Sequence, residues 1–109
     1  MDRHARIDLF SLAAHRLAVK RLREQPARVE EALGVLSRWR LQAGGPSRSD
    51  PYLDEWEGLL RQGVDAVEQA VCASTDRAAT LRSVSPLGRF ITTAERDNLL
   101  RQASEAATP

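Results

Sequence analysis

The chain has 109 residues, 42% hydrophobic and 28% charged, with a formal net charge of +1. That length supports one domain with a single modest core, and no apolar run approaches the ~20 residues that a membrane-spanning helix needs. One cysteine, Cys72, excludes an internal disulfide framework and a cysteine-based zinc site.

The pattern is helical nearly throughout. From Arg3 to Glu24, the apolar residues Ile7, Phe10, Ala14, Leu17 and Ala18 recur at helical spacing and predict one buried face. Arg16, Lys20 and Arg23 fall on the other side. Pro26 suits the first turn of a second helix, with Glu30 and Glu31 near its positive end and Arg38 and Arg40 near its negative end. Val29, Leu33, Leu36 and either Trp39 or Arg40 continue the stripe. Residues 42–50 hold two glycines, a proline and small polar residues, and read as a loop. Asp50 is the expected cap of a third helix, with Pro51 at its first position and Leu53, Trp56 and Leu60 on its stripe. Gly63 is expected to break or bend that helix. Val64, Val67, Val71, Ala78 and Leu81 mark the next helical stretch, either one helix over 64–83 or two parted near Ser74-Thr75. Ser85-Pro86-Leu87-Gly88 is a turn, and Thr92-Thr93-Ala94-Glu95 reads as a capping box opening a last helix through Leu99, Leu100 and Ala103.

No strand competes, since Arg89-Phe90-Ile91-Thr92 is short and unpartnered. The expected fold is therefore all-α, a compact bundle of five to six short helices forming a single helical domain over 1–109, with a frayed tail at 105–109. Its core should draw on Phe10, Leu17, Leu33, Leu36, Trp39, Trp56, Leu60, Val67, Val71 and Leu81. Gly34 and Gly58 interrupt their stripes, either to let helices approach or simply because they are tolerated. The opening segment carries Asp2 and Asp8 and no continuous apolar stretch, so it does not read as a secretory signal, and the expected location is cytoplasmic.

Charge is unevenly distributed. Residues 1–50 hold ten Lys/Arg against six Asp/Glu, a net of +4, and residues 51–109 hold six against nine, a net of −3. Lys20 is the only lysine, a bias that fits a GC-rich bacterial genome. Arg16, Lys20, Arg21, Arg23 and Arg28 form a cluster able to neutralise phosphates, and Arg96 in the last helix is of a type that reaches bases. These six residues would serve a small DNA-binding transcriptional regulator. The near-neutral total and the absence of a standard helix-turn-helix link argue against that reading.

Chemistry has little to work with. His4 and His15 lie eleven residues apart and no set of three or four converging ligands forms around either, so no metal site and no cofactor are expected. His15 is expected on the flank of the first helix, partly exposed. Cys72 beside Val71 reads as a buried, inert thiol. Asp54 and Glu57 share a helix face, as an acid/base pair would, but a solvated acidic face explains them equally, and no enzyme is expected. Binding to another protein, or to a second copy of the chain in a homo-oligomer, is better supported. Arg38, Arg40, Tyr52, Glu55 and Trp56 flank the loop, and aromatic residues and arginine are enriched at binding hot spots.

The segments Arg38-Trp39-Arg40, Tyr52-Leu53-Asp54-Glu55-Trp56-Glu57-Gly58-Leu59-Leu60, Ser85-Pro86-Leu87-Gly88, Glu95-Arg96 and Leu99-Leu100-Arg101 together resemble small bacterial helical antitoxins of toxin–antitoxin pairs. The resemblance implies a non-enzymatic protein that binds and blocks a toxin encoded beside it. Such antitoxins often bind their own promoter through a separate segment. This chain shows neither a clear ribbon-helix-helix strand nor a standard helix-turn-helix, and it lacks the charged, disordered tail that many antitoxins wrap around a toxin.

Overall fold

The computed structural model describes residues 3–106, and every regular element among them is helical. These are α1 (Arg3–Glu24), α2 (Val29–Ala43), α3 (Asp50–Gln62), α4 (Val64–Val71), α5 (Asp76–Ser83) and α6 (Thr93–Ala106), with short 3-10 turns at Pro26–Arg28 and Gly88–Phe90. The all-α bundle read from the sequence is the fold observed.

The connections are set by individual residues. Pro26 opens a 3-10 turn rather than α2 itself, which begins at Val29. Gly44, at φ 69°, ends α2 in the left-handed conformation that glycine adopts without a Cβ penalty. The loop is 44–49 rather than 42–50, because Gln42 and Ala43 complete α2 and Asp50 already belongs to α3. Asp50 does not cap α3. Its carboxylate accepts from the backbone N–H (3.0 Å) and the hydroxyl (3.1 Å) of Ser47, closing the loop on itself. Gly63 parts α3 from α4 at φ 123° and ψ 177°, a region essentially reserved for glycine.

Residues 64–83 form two helices. The break ends at Thr75, whose extended backbone lets its hydroxyl accept from the Ala78 N–H (3.1 Å) and cap α5. The capping box before α6 closes in both directions. Glu95 N–H donates to the Thr92 hydroxyl at 3.1 Å, and Thr92 N–H donates to the Glu95 carboxylate at 2.8 Å. Glu105 and Ala106 continue α6 and are not a frayed tail, while 107–109 lie outside the described residues.

α1 is the central helix, packing against α4, α5 and α6, while α2 packs on α3 and α3 on α4. Leu36, Trp56, Leu60, Val67, Val71 and Leu81 are buried as expected, joined by Val19, Leu22, Leu87 and Phe90. Phe10, Leu17, Leu33 and Trp39 are only half-buried. The inward face of α1 is the stripe Leu12, His15, Val19 and Leu22, flanked by Ala14 and Ala18, and Ile7 is exposed. A Cβ added at Gly34 or Gly58 would meet nothing within 4 Å, so neither glycine serves a close helix approach.

Candidate functional site

The five loop-flanking residues have separate fates. Trp56, expected in the core and also offered as a binding residue, is fully buried and so is not part of an exposed surface. Its indole N–H donates to the Leu81 carbonyl oxygen at 2.9 Å, and its ring lies 6.4 Å from that of His15. The reason is its place on the inward stripe of α3 between Leu53 and Leu60. Glu55 pairs with Arg77, tying α3 to α5. Arg40 meets Asp54 at 2.9 Å and Glu57 at 3.6 Å, tying α2 to α3. Asp54 and Glu57 therefore do share a face, and both turn to an arginine. Arg38 and Tyr52 remain exposed.

Beside them lies a surface that the sequence only partly anticipated. Leu41 is 80% exposed in the last turn of α2, and Tyr52 is 37% exposed in the first turn of α3. Between α2, the loop and the end of α5 runs a groove of about 330 Å³ lined by Trp39, Ala43, Leu53 and Val84, with the loop serines Ser47 and Ser49. Trp39 is half-buried and borders this groove.

The basic set is largely committed within the fold. Arg21 grips the Glu95 carboxylate with both terminal nitrogens and donates to the Phe90 carbonyl oxygen (2.9 Å). That grip, with the Thr92 N–H, holds Glu95 at a pKa of about 2. Arg23 pairs with Asp65 (2.8 Å) and Glu68 (3.2 Å). Arg28 pairs with Glu31 and lies 4.5 Å over the Phe90 ring, and Arg96 lies 5.1 Å over the Phe10 ring. Of the six, only Arg16 and Lys20 are exposed with neither an ion pair nor a ring partner among the described residues. The basic first half and the acidic stretch 50–68 thus meet inside one chain.

Two polar residues are buried that the sequence did not flag as buried. Arg82 has a fully covered side chain. It donates to the carbonyl oxygens of Val71 and Ala73, both at 2.8 Å, and to Asp8 at 2.7 Å. It thereby satisfies the carbonyl of Val71, the last residue of α4, and that of Ala73 just beyond it, where a cation is also favoured. His15 is 9% exposed, not partly exposed on a flank, and its Nδ1–H donates to the Ser11 carbonyl oxygen at 2.7 Å. Burial pushes its pKa down, the bond to Ser11 works the other way, and the Arg82 charge adds to the fall.

Both residues line a cleft of about 320 Å³ between α1, α5, the 88–90 turn and α6, together with Phe10, Ser11, Ser85 and Arg96. Cys72 is half-buried rather than buried, and burial raises its thiol pKa, keeping it protonated at neutral pH. Among the described residues no three His, Cys, Asp or Glu side chains group to hold a metal, and no helix is long and apolar enough to cross a membrane. Compared with known proteins, the chain matches no family model, no curated sequence and no solved structure.

Proposed function

We propose that this chain is a non-enzymatic protein-binding module of the bacterial cytoplasm that blocks a cognate toxin in the manner of an antitoxin, using the α2–loop–α3 surface. One observation carries the reading: a groove lined by Trp39, Ala43, Leu53 and Val84 with three serines opens between α2, the loop and α5, and the same segment exposes Leu41 by 80% and Tyr52 by 37%. A half-covered tryptophan on a segment that also exposes tyrosine and arginine side chains has the residue types enriched at hot spots. Arg38 and Tyr52 belong to this surface. Arg40 and Glu55 act at one remove, fixing α2 and α5 against α3, and Trp56 supports it from the core. The DNA-binding alternative is weaker because Arg21, Arg23 and Arg28 already face carboxylates, leaving Arg16 and Lys20 to meet phosphates.

The test is retrieval of the tagged protein from its native host, with and without nuclease, beside the variant Leu41→Glu. An exposed side chain can be replaced at little cost to stability, so that variant should fold as the parent does. The reading expects one stoichiometric protein that survives nuclease and is lost from the variant. Nucleic acid, or proteins lost on nuclease treatment, would transfer the assignment to the DNA-binding regulator.

A further inference from the structure

The α2–loop–α3 surface carries charge of one sign. Residues 32–49 hold three arginines, Arg38, Arg40 and Arg48, and no Asp or Glu. The wall that α5 adds is free of acids as well, since residues 77–94 hold none. The carboxylates that follow in α3 are already committed: Asp50 accepts from Ser47, and Asp54 and Glu57 both face Arg40. Arg40 is spent in that pairing. Arg38 and Arg48 are exposed and have no ion pair, hydrogen bond or ring partner among the described residues. Between them in the chain fall Trp39, Ala43 and Ser47, three of the residues that line the groove. An uncharged groove thus has a free cation on either side of its α2 and loop segment, an arrangement that draws in a partner of opposite charge.

We infer that the occupant of this surface is an acidic segment of the partner protein built around one apolar side chain. The apolar side chain enters the groove between Trp39, Leu53 and Val84, and carboxylates before and after it face Arg38 and Arg48. The negative end of α2, at Ala43, opposes a carboxylate in the groove itself, so the apolar group and not an acid belongs there. Nucleic acid fits less well, because two free arginines neutralise few phosphates. A second copy of the chain offers no matching segment: Glu55 faces Arg77, and Asp65 and Glu68 face Arg23. The inference rests on the reading of this surface as the one that meets the partner, and it adds the partner's chemistry.

The experiment uses the whole chain and follows the indole N–H resonance of Trp39 by NMR. The probes are a synthetic peptide of alternating glutamate and serine around a central leucine, its analogues with glutamine or lysine in place of every glutamate, and oligothymidylate. The glutamate peptide should shift Trp39 saturably at millimolar concentration or below, and more weakly as salt is added. The glutamine analogue should bind about fivefold more weakly, and the lysine analogue about twentyfold more weakly or worse. Reversing both charges, Arg38→Glu with Arg48→Glu, should turn the preference to the lysine peptide, and exposed replacements of this kind cost little stability. The inference is overturned if the glutamate peptide gives no saturable shift, if the lysine analogue binds as well, or if the double reversal leaves the preference unchanged. A stronger shift with oligothymidylate would put a phosphate backbone there, a shift on concentrating the chain alone would put a second copy there, and either would overturn it. Its failure is distinct from that of the underlying reading. If Leu41→Glu loses the retrieved protein but the peptides show no acidic preference, the surface stands and the acidic segment falls. If Leu41→Glu retains the protein, the surface itself is wrongly assigned. The peptide series on the parent chain decides the charge preference even if the double variant fails to fold.

Discussion

Replacing Trp56 by phenylalanine measures how far this residue belongs to the core rather than to a binding surface. The indole is fully covered, and its N–H is committed to the Leu81 carbonyl oxygen at 2.9 Å. Loss of that bond costs about 1 kcal/mol. The Leu81 oxygen also accepts from the Val84 N–H at 3.2 Å, so it is not left without a partner. The smaller ring leaves on the order of 40 Å³ unfilled, worth about 1 kcal/mol, and the lost apolar transfer brings the total to about 2–3 kcal/mol. That is a large share of the roughly 5–15 kcal/mol that holds a domain folded. With a urea slope of about 1–3 kcal/mol per molar, the unfolding midpoint should fall by about 1 M or more at unchanged slope. Circular dichroism during urea titration reads this directly. A midpoint within about 0.2 M of the parent's would refute the burial of Trp56 and return it to the surface.

Other perturbations separate backbone strain, helix capping and titration. Gly63→Ala should destabilise by about 1–3 kcal/mol because its φ of 123° excludes a Cβ, although nothing lies near enough to clash. Gly58→Ala, mid-helix with open space around it, should instead stabilise by up to about 1 kcal/mol, and thermal melts of the two should move in opposite directions. Thr92→Ala opens the capping box and should cost about 1 kcal/mol, visible as faster amide exchange in the first turn of α6. Stability should also fall on acidification. The folded pKa of His15 lies below its unfolded value, so below about pH 6.5 the unfolded chain takes up a proton that the folded chain resists. The slope is at most about 1.4 kcal/mol per pH unit, and it ends once pH passes the folded pKa. His15→Leu should flatten the fall between pH 6.5 and 5 in urea midpoints. A further loss as pH drops from 4.5 towards about 2 belongs to Glu95, whose pKa is depressed to about 2 by its pairing with Arg21.

Helix existence was legible because apolar spacing, Gly44, Gly63 and the Thr92–Glu95 box are local signals that the tertiary structure does not override. The face of α1 was not. Two stripes overlap on it, and the one read from the sequence, through Phe10, Ala14 and Leu17, is wholly apolar. The one actually buried, Leu12-His15-Val19-Leu22, contains a histidine, and only the surrounding α4, α5 and α6 decide between them. Arg82 was missed for the same reason. Its position beside Leu81 and four residues after Ala78 places it inward on α5, but its partners Val71, Ala73 and Asp8 are joined to it by folding alone. The loop-side surface was half legible. Arg38 and Tyr52 are exposed as the sequence reading has them, Trp56 takes the core place of its two expected roles, and Leu41 escaped notice because an exposed leucine carries no mark in a one-dimensional pattern.

The most direct test of the central claim is hydrogen exchange on the purified complex of this chain with the protein it retrieves, compared with the free chain. The toxin-blocking account predicts new protection concentrated in residues 38–53, across the end of α2, the loop and the start of α3. Protection centred instead on the Arg16–Lys20 stretch of α1, with 38–53 unchanged, would contradict it.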